Sequence, residues 1–275
     1  WSGGAKSTSG TKMYVHGGGH GDSHCNVLAS FDFAGNAAPT GWAIENAGQP
    51  GVTSPPSVGA VGPPVSVHTY DGMVDAGDFL FRFGGSTYPQ GSFTDANHRF
   101  SKSAGTWTRI PSGSSLFGSS AVVNEAAGKI LVLDRWVGYY NYAFYRIGTN
   151  NWSATKSVSA QWVADGVMAF DPASNTGLII GGNNDSGIHA FSLGINWSAE
   201  TITQTARSIT NLGTTGAGPA LICDSAKGVY WAWGWGNQNS SIYEINPATW
   251  TATQHALTEN APLSPESGTI GHFDR

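Results

Sequence analysis

Met13-Tyr14-Val15-His16-Gly17-Gly18-Gly19-His20 is a short apolar strand that runs into a cluster of glycines, and versions of it return along the chain. Leu80-Phe81-Arg82-Phe83-Gly84-Gly85 is the second copy, and Leu131-Val132-Leu133-Asp134-Arg135-Trp136-Val137-Gly138 is a degenerate third. Leu178-Ile179-Ile180-Gly181-Gly182 is the fourth, and Tyr230-Trp231-Ala232-Trp233-Gly234-Trp235-Gly236 the fifth. A second landmark follows each one: Trp42, Trp107, Trp152, Trp197 and Trp250, each at a polar-alternating strand. A third landmark precedes the glycines, an apolar strand ending in an Asp/Asn turn, as in Val167-Met168-Ala169-Phe170-Asp171-Pro172. Self-similarity with a period of about 45–55 residues and several short strands per unit marks a β-propeller.

One unit thus reads as strand A, turn, strand B ending in glycines, loop, strand C, turn, and strand D carrying the Trp. Gly128, Gly177 and Gly228 stand in the A–B turns, where a hairpin needs a residue free to take positive φ. The strand C segments are Val27–Phe33, Asn97–Ser101, Ala143–Ile147, His189–Leu193 and Ser241–Ile245. The blades are expected at about 1–46, 65–111, 118–157, 164–205 and 216–257, in a single domain. Inner strands are covered on both faces by neighbouring blades, which explains continuous apolar runs such as Val229–Trp233. The Trp offers a large apolar area to wedge between blades.

This pattern resembles the kelch-type β-propeller of the galactose oxidase/kelch-like superfamily, whose repeat carries a double glycine after its second strand and an aromatic/Trp pair further on. Gly17-Gly18, Gly84-Gly85 and Gly181-Gly182 fit it, whereas the third and fifth units carry Trp136-Val137-Gly138 and Gly234-Trp235-Gly236 instead. The resemblance implies an all-β fold of four-stranded blades, five evident and six if the ring needs another. It implies no activity, because kelch propellers include enzymes, adhesins and adaptor domains. The copper radical chemistry of the galactose oxidase type needs a Cys–Tyr crosslink, a second Tyr and two His. Neither Cys25 nor Cys223 sits in a matching context.

Two irregularities stand out. Residues 47–64 are a Pro/Gly/Ser-rich insertion, too broken for a blade, and a loop of this kind is expected across one propeller face. Gly268-Thr269-Ile270-Gly271-His272-Phe273-Asp274-Arg275 aligns with the Gly166–Pro172 stretch, so 267–275 reads as a stray inner strand A. It either completes a shared blade or opens a sixth blade in a longer chain, and the second reading is preferred. The chain opens at Trp1 with no basic-then-apolar leader, so a signal peptide is neither claimed nor excluded.

Charged residues make up 11% of the chain, against roughly a quarter in ordinary soluble proteins. Such a surface suits an extracellular, cell-surface or virion-surface setting. A net charge of −5 without any Lys/Arg run argues against nucleic acid as a partner. No run of about 18 apolar residues exists, so no membrane span is expected. Cys25 and Cys223 lie in the first and fifth units, where ring closure would permit a disulfide; two buried thiols are the alternative.

Three groups of residues could carry chemistry. His20, Asp22 and His24, close after His16, have the types and density of a transition-metal site, although a three-glycine loop also needs polar side chains of its own. No other cofactor is expected. His68 and Tyr70, read on strand A of the second unit beside the channel, could serve with His20 as general base and acid in a polysaccharide lyase or hydrolase. Satisfied core residues bridging blades are the other reading. Trp136, Tyr139 and Tyr140, with Trp233 and Trp235, concentrate rings at strand B ends, suited to stacking on sugars.

No complete catalytic constellation emerges. The expected function is therefore recognition of a glycan or partner protein through one propeller face. The alternatives are the His/Tyr polysaccharide enzyme and a structural subunit of a larger assembly.

Overall fold

The computed structural model describes residues 2–7, 11–17, 26–32, 41–49, 52–87, 92–113, 116, 119–134, 141–158, 166–182, 188–212, 220–233 and 241–256. Among them the regular structure is β throughout, in five four-stranded antiparallel sheets arranged as a five-bladed propeller. Blade one holds β1 (Ser2–Lys6), β2 (Lys12–Gly17), β3 (Leu28–Asp32) and β4 (Gly41–Asn46). A two-residue strand, β5 (Val67–His68), precedes blade two, which holds β6 (Met73–Ala76) and β7 (Phe79–Arg82). After β8 (Ser86–Thr87), blade two is completed by β9 (Asn97–Ser101) and β10 (Thr106–Ile110). Blade three holds β11 (Ser119–Asn124), β12 (Lys129–Asp134), β13 (Asn141–Arg146) and β14 (Asn151–Trp152), with β15 (Lys156–Ser157) also on β13. Blade four runs through β16 (Val167–Asp171), β17 (Thr176–Gly182), β18 (Ile188–Asn196) and β19 (Thr201–Arg207). Blade five has β20 (Ala220–Asp224), β21 (Val229–Trp233), β22 (Ser241–Asn246) and β23 (Thr251–Ala256).

Strand alternation sends successive side chains of each inner strand to opposite neighbours, and this divides the core into layers. Ala5, Tyr14 and Leu28 of blade one meet Met73, Leu80, Phe100 and Trp107 of blade two. Val74 and Phe81 then meet Ile130 and Tyr145 of blade three. Leu131 and Phe144 meet Met168 and Phe191 of blade four, while Val167 and Leu178 meet Leu221 and Tyr230 of blade five.

Each layer holds a landmark tryptophan facing the preceding blade. Trp107 is 1% exposed; Trp152 lies edge-on to Phe83, and Trp197 edge-on to Phe144 and Phe170. Trp250 packs against the layer between blades four and five. Trp42 breaks the rule, being 61% exposed.

The segment 69–72 stands where the innermost strands converge. The Thr69 hydroxyl donates to the carbonyl of His16 in blade one. Tyr70, in the left-handed region at φ 52°, packs against the layer between blades four and five. The Asp71 carbonyl accepts from Ala121 N in blade three at 3.0 Å, and its carboxylate accepts from Met168 N in blade four at 2.8 Å. This short strap thus reaches blades one, three and four and the layer between blades four and five.

Two expectations change here. Strand A of the second unit is β6, not 67–72; His68 instead pairs with Ser86 in a separate two-stranded ladder. The double glycine allows that crossing: a Cβ on Gly85, at φ 119°, would fall 2.5 Å from the His68 carbonyl oxygen. The described part of the insertion does not lie across a propeller face but along the outer edge of blade two. Gly59 N donates to Arg109 O, Arg109 N to Ala60 O, and Gly62 N to Trp107 O.

Replacing Asp71 by Ala leaves the buried Met168 N–H without its acceptor, a loss of about 1–3 kcal/mol. Asp71→Asn keeps an oxygen acceptor and should retain most of that stability. Urea denaturation of the two variants checks this, and equal midpoints would remove the strap from the account of stability.

Candidate functional site

Of the residues singled out from the sequence, His20, Asp22, His24, Trp136, Tyr139, Tyr140, Trp235 and Cys25 lie outside the described residues. Among the described residues no group of three or more His, Cys, Asp or Glu is arranged to hold a metal ion. His68 is 2% exposed and stands edge-on to Tyr70 at 5.7 Å, so this pair is built into the strap. Cys223 is buried in the layer facing blade four.

His16, from the histidine-rich stretch, enters a polar cluster between blades one and two with Arg82 and His98. Arg82, fully buried, donates to the carbonyls of Gly84 and Ala96 at 2.8 and 3.0 Å and contacts Nδ1 of His98 at 2.7 Å. Because a guanidinium can only donate, His98 Nδ1 is the acceptor and the ring is neutral with its proton on Nε2. Burial, reinforced by the Arg82 charge, lowers His98 to about 2 and His16 to about 3. Burial also pulls Arg82 down to about 9. Trp107 stands edge-on to His16 at 5.2 Å. The signal was present in Leu80-Phe81-Arg82-Phe83, where a charge interrupts an apolar strand.

One open feature among the described residues is on blade five. There Ile222, Asp224, Lys227, Trp231, Trp233 and Ile242 line a pocket of about 300 Å³. The register explains the grouping: Ile222 opposes Trp231 and Ala220 opposes Trp233, so these side chains share one face. Leu221, Cys223 and Tyr230 point the other way, into blade four. The Lys227 ammonium lies 5.4 Å from the centre of the Trp231 ring, and His255 packs on the same ring at 5.3 Å. Trp233 was expected from the sequence as a ligand-binding residue, and the structure places it in this pocket. Ile222, Asp224 and Ile242 were not singled out, although the alternation of Ala220–Asp224 carried the signal. Blade one has a matching face: Val15 pairs Ala29 and Ala29 pairs Ile44, beside the row Met13, Phe31 and Trp42. Ile44 is 69% exposed.

No protein family matches the sequence, and no curated protein does either. Many solved structures share the fold. A chain of a nidogen/laminin complex superposes with a TM-score of 0.60 at 10% identity, covering 98% of this chain and 82% of that one. YjhT gives 0.61 at 10% identity over 90% of this chain and 81% of its own. A fungal alcohol oxidase of the AA5 family, in complex with copper, gives 0.56 at 14% identity over 94% of this chain and 53% of the oxidase. At these identities the likeness is one of propeller fold.

The buried histidines make a pH prediction. In the unfolded chain each binds a proton below about pH 6.5, whereas folded His16 and His98 stay neutral down to about 3 and 2. Their contribution is therefore complete above pH 6.5 and is lost as pH falls below it, by about 1.4 kcal/mol per unit for each ring. Unfolding free energy from urea titration should drop by on the order of 1–3 kcal/mol between pH 7.5 and 5.5. His98→Gln, which removes one titration and keeps an acceptor for Arg82, should about halve the drop. A flat profile across that window would exclude buried neutral rings.

Proposed function

We propose that the chain is a recognition propeller that takes up an extended segment of a partner protein on the face of blade five. The observation that carries this reading is the repeated chemistry of the interblade layers. Each of the four layers seats a strand with apolar side chains at alternate positions. The Ile222, Trp231, Trp233 and Ile242 face offers the same chemistry around an open pocket. Half-buried aromatic rings lining an open pocket suit an interaction surface. Large rings also supply most of the affinity where they become fully desolvated.

A second reading, a glycan ligand, is favoured by Asp224 and Lys227 beside the Trp231 ring, since stacking with polar groups at the rim is the chemistry of sugar sites. The low charge of the chain suits an extracellular or virion-surface setting for either ligand, and the glycine pairs favour assignment to the kelch type.

The test is a panel of immobilised peptides with apolar residues at alternate positions, run beside a glycan array. Peptide capture is expected, with Trp231→Ala and Trp233→Ala each weakening it about tenfold or more at unchanged thermal stability. Capture of glycans only, with the same sensitivity to the two tryptophans, transfers the site to the second reading. Capture indifferent to both substitutions removes the site from this face.

A further inference from the structure

The outermost strand of each blade ends its sheet, and an edge of this kind invites pairing with a second chain through its unpaired N–H and C=O groups. Proteins blunt such edges with cover, with short strands or with polar side chains. Four of the five blades do so. On β10 the edge is occupied: Gly59 N and Gly62 N donate to Arg109 O and Trp107 O, and Arg109 N donates to Ala60 O. The edge of blade three is broken into β14 and β15, each of two residues. The start of β23 is met by Thr210, whose N–H donates to Trp250 O and whose carbonyl accepts from Ala252 N. On β19 the exposed positions Thr201, Thr203 and Thr205 are polar.

Among the described residues β4 carries none of these three devices. It is a six-residue strand, Gly-Trp-Ala-Ile-Glu-Asn, at the end of its sheet's strand order. Trp42 and Ile44 are 61% and 69% exposed, and Ala43 between them is exposed as well. Trp42 leans on Phe31 of its own sheet at 5.4 Å, which steadies the ring without covering it. One exposed apolar residue carries no message, but a tryptophan and an isoleucine at alternate positions of one edge strand form a patch.

We infer that β4 is a self-association edge, paired antiparallel with β4 of a second copy about a two-fold axis through Ala43. The strand is self-complementary in that register. A two-fold at Ala43 sets Trp42 opposite Ile44 of the second copy, and Ile44 opposite its Trp42. Directly opposed residues share a face, so the four side chains form one apolar cluster across the seam. An axis at Ile44 would set Trp42 against Asn46, and one at Trp42 would set Ile44 against a position before the strand begins.

Charge agrees with this register. Glu45 falls opposite Gly41 and not opposite a second Glu45. Its carboxylate is already held by Ser30 Oγ at 2.6 Å and Lys12 Nζ at 3.1 Å. A bulge separates the Leu28–Asn46 pair from the Ala29–Ile44 pair and bends the strand after Ile44, so the shared ladder is short. Such a contact falls below the roughly 1,200–2,000 Å² of a standard interface, and the dimer is weak and concentration-dependent. The two-fold consumes both edges at once, so pairing through β4 stops at two copies. It draws nothing from the blade-five pocket, and either can fail without the other.

Sedimentation velocity on the full chain from about 5 to about 500 μM is the test, with a dimer expected to grow across that range. Trp42→Asp and Ile44→Lys should each raise its Kd about tenfold or more. Both side chains face solvent in the single copy, so thermal stability should not change. Register is read separately: opposed residues lie about 4.5–5.5 Å apart at Cα, within disulfide reach, so Ala43→Cys should give a covalent dimer under mild oxidation. The native chain and Thr203→Cys on β19 should not. A monomer throughout the range, with no crosslink through Ala43→Cys, overturns the proposal. A dimer that survives Trp42→Asp, or that Thr203→Cys traps in place of Ala43→Cys, overturns it as well. A dimer that Trp42→Asp dissociates but Ala43→Cys does not trap overturns the two-fold at Ala43. Dissociation by Trp231→Ala and not by Trp42→Asp moves the contact to blade five and overturns the β4 edge.

Discussion

The hydrogen bond from Met168 N to the Asp71 carboxylate is the contact on which the ring depends. It spans the chain from the entry to blade two to the innermost strand of blade four. Antiparallel hairpins hold each blade internally, but they say nothing about how one blade sits on another. Apolar layers supply the area, though layers between flat faces can slide. A buried directional bond cannot slide without orphaning a donor and an acceptor together. Asp71 adds a second such bond through its carbonyl to Ala121, so three blades are registered by one residue. The positive φ of Tyr70 is the local cost of turning the chain into that position.

The layers on either side of that anchor differ in character. Those beyond blade two are assembled from aliphatic and aromatic side chains. Between blades one and two the protein buries a guanidinium with two neutral imidazoles and gives its terminal nitrogens two backbone carbonyls and His98 Nδ1 as acceptors. A carbonyl pair fixes the planar fork of an arginine in one orientation, which an aliphatic side chain in the same place would not do. Ion pairing is concentrated elsewhere, notably at Glu200, which receives both Lys129 and Arg146 across the boundary between blades three and four. Those two cations hold its carboxyl below the usual range, with the Arg146 hydrogen bond the largest influence.

How much of this was legible in the sequence follows from which interactions are local. The five blades were readable because hairpins, glycine pairs and alternating strands are short-range signals: β9, predicted as Asn97–Ser101, is found at those bounds. The wedge role of the tryptophans was readable too, since a large ring at a fixed place in every unit must pack somewhere. The position of His68 was not, because it depends on Gly85 admitting the backbone of 67–68 from the neighbouring ladder. The course of residues 52–66 was equally hidden, since their partners Trp107 and Arg109 are some fifty residues away in a strand with no sequence mark of a docked loop. The pocket on blade five was half legible: parity groups Ile222 with Asp224, but only three dimensions show that Lys227 and Ile242 join them around the Trp231 and Trp233 rings.

That docked insertion also decides which rims of the molecule can meet another chain. An outermost strand ordinarily presents a row of unpaired N–H and C=O groups, the natural template for strand addition from a second molecule. In blade two the row on β10 is already occupied, with Val61 bridging Thr108 and the Arg109 side chain holding Pro56 O at 2.8 Å. The seven-residue β19 of blade four carries no comparable cover among the described residues, and its Thr201, Thr203 and Thr205 are exposed. Edge-to-edge growth between copies would therefore be directional, admitted at blade four and refused at blade two, which disfavours indiscriminate sheet stacking in a protein with so little surface charge.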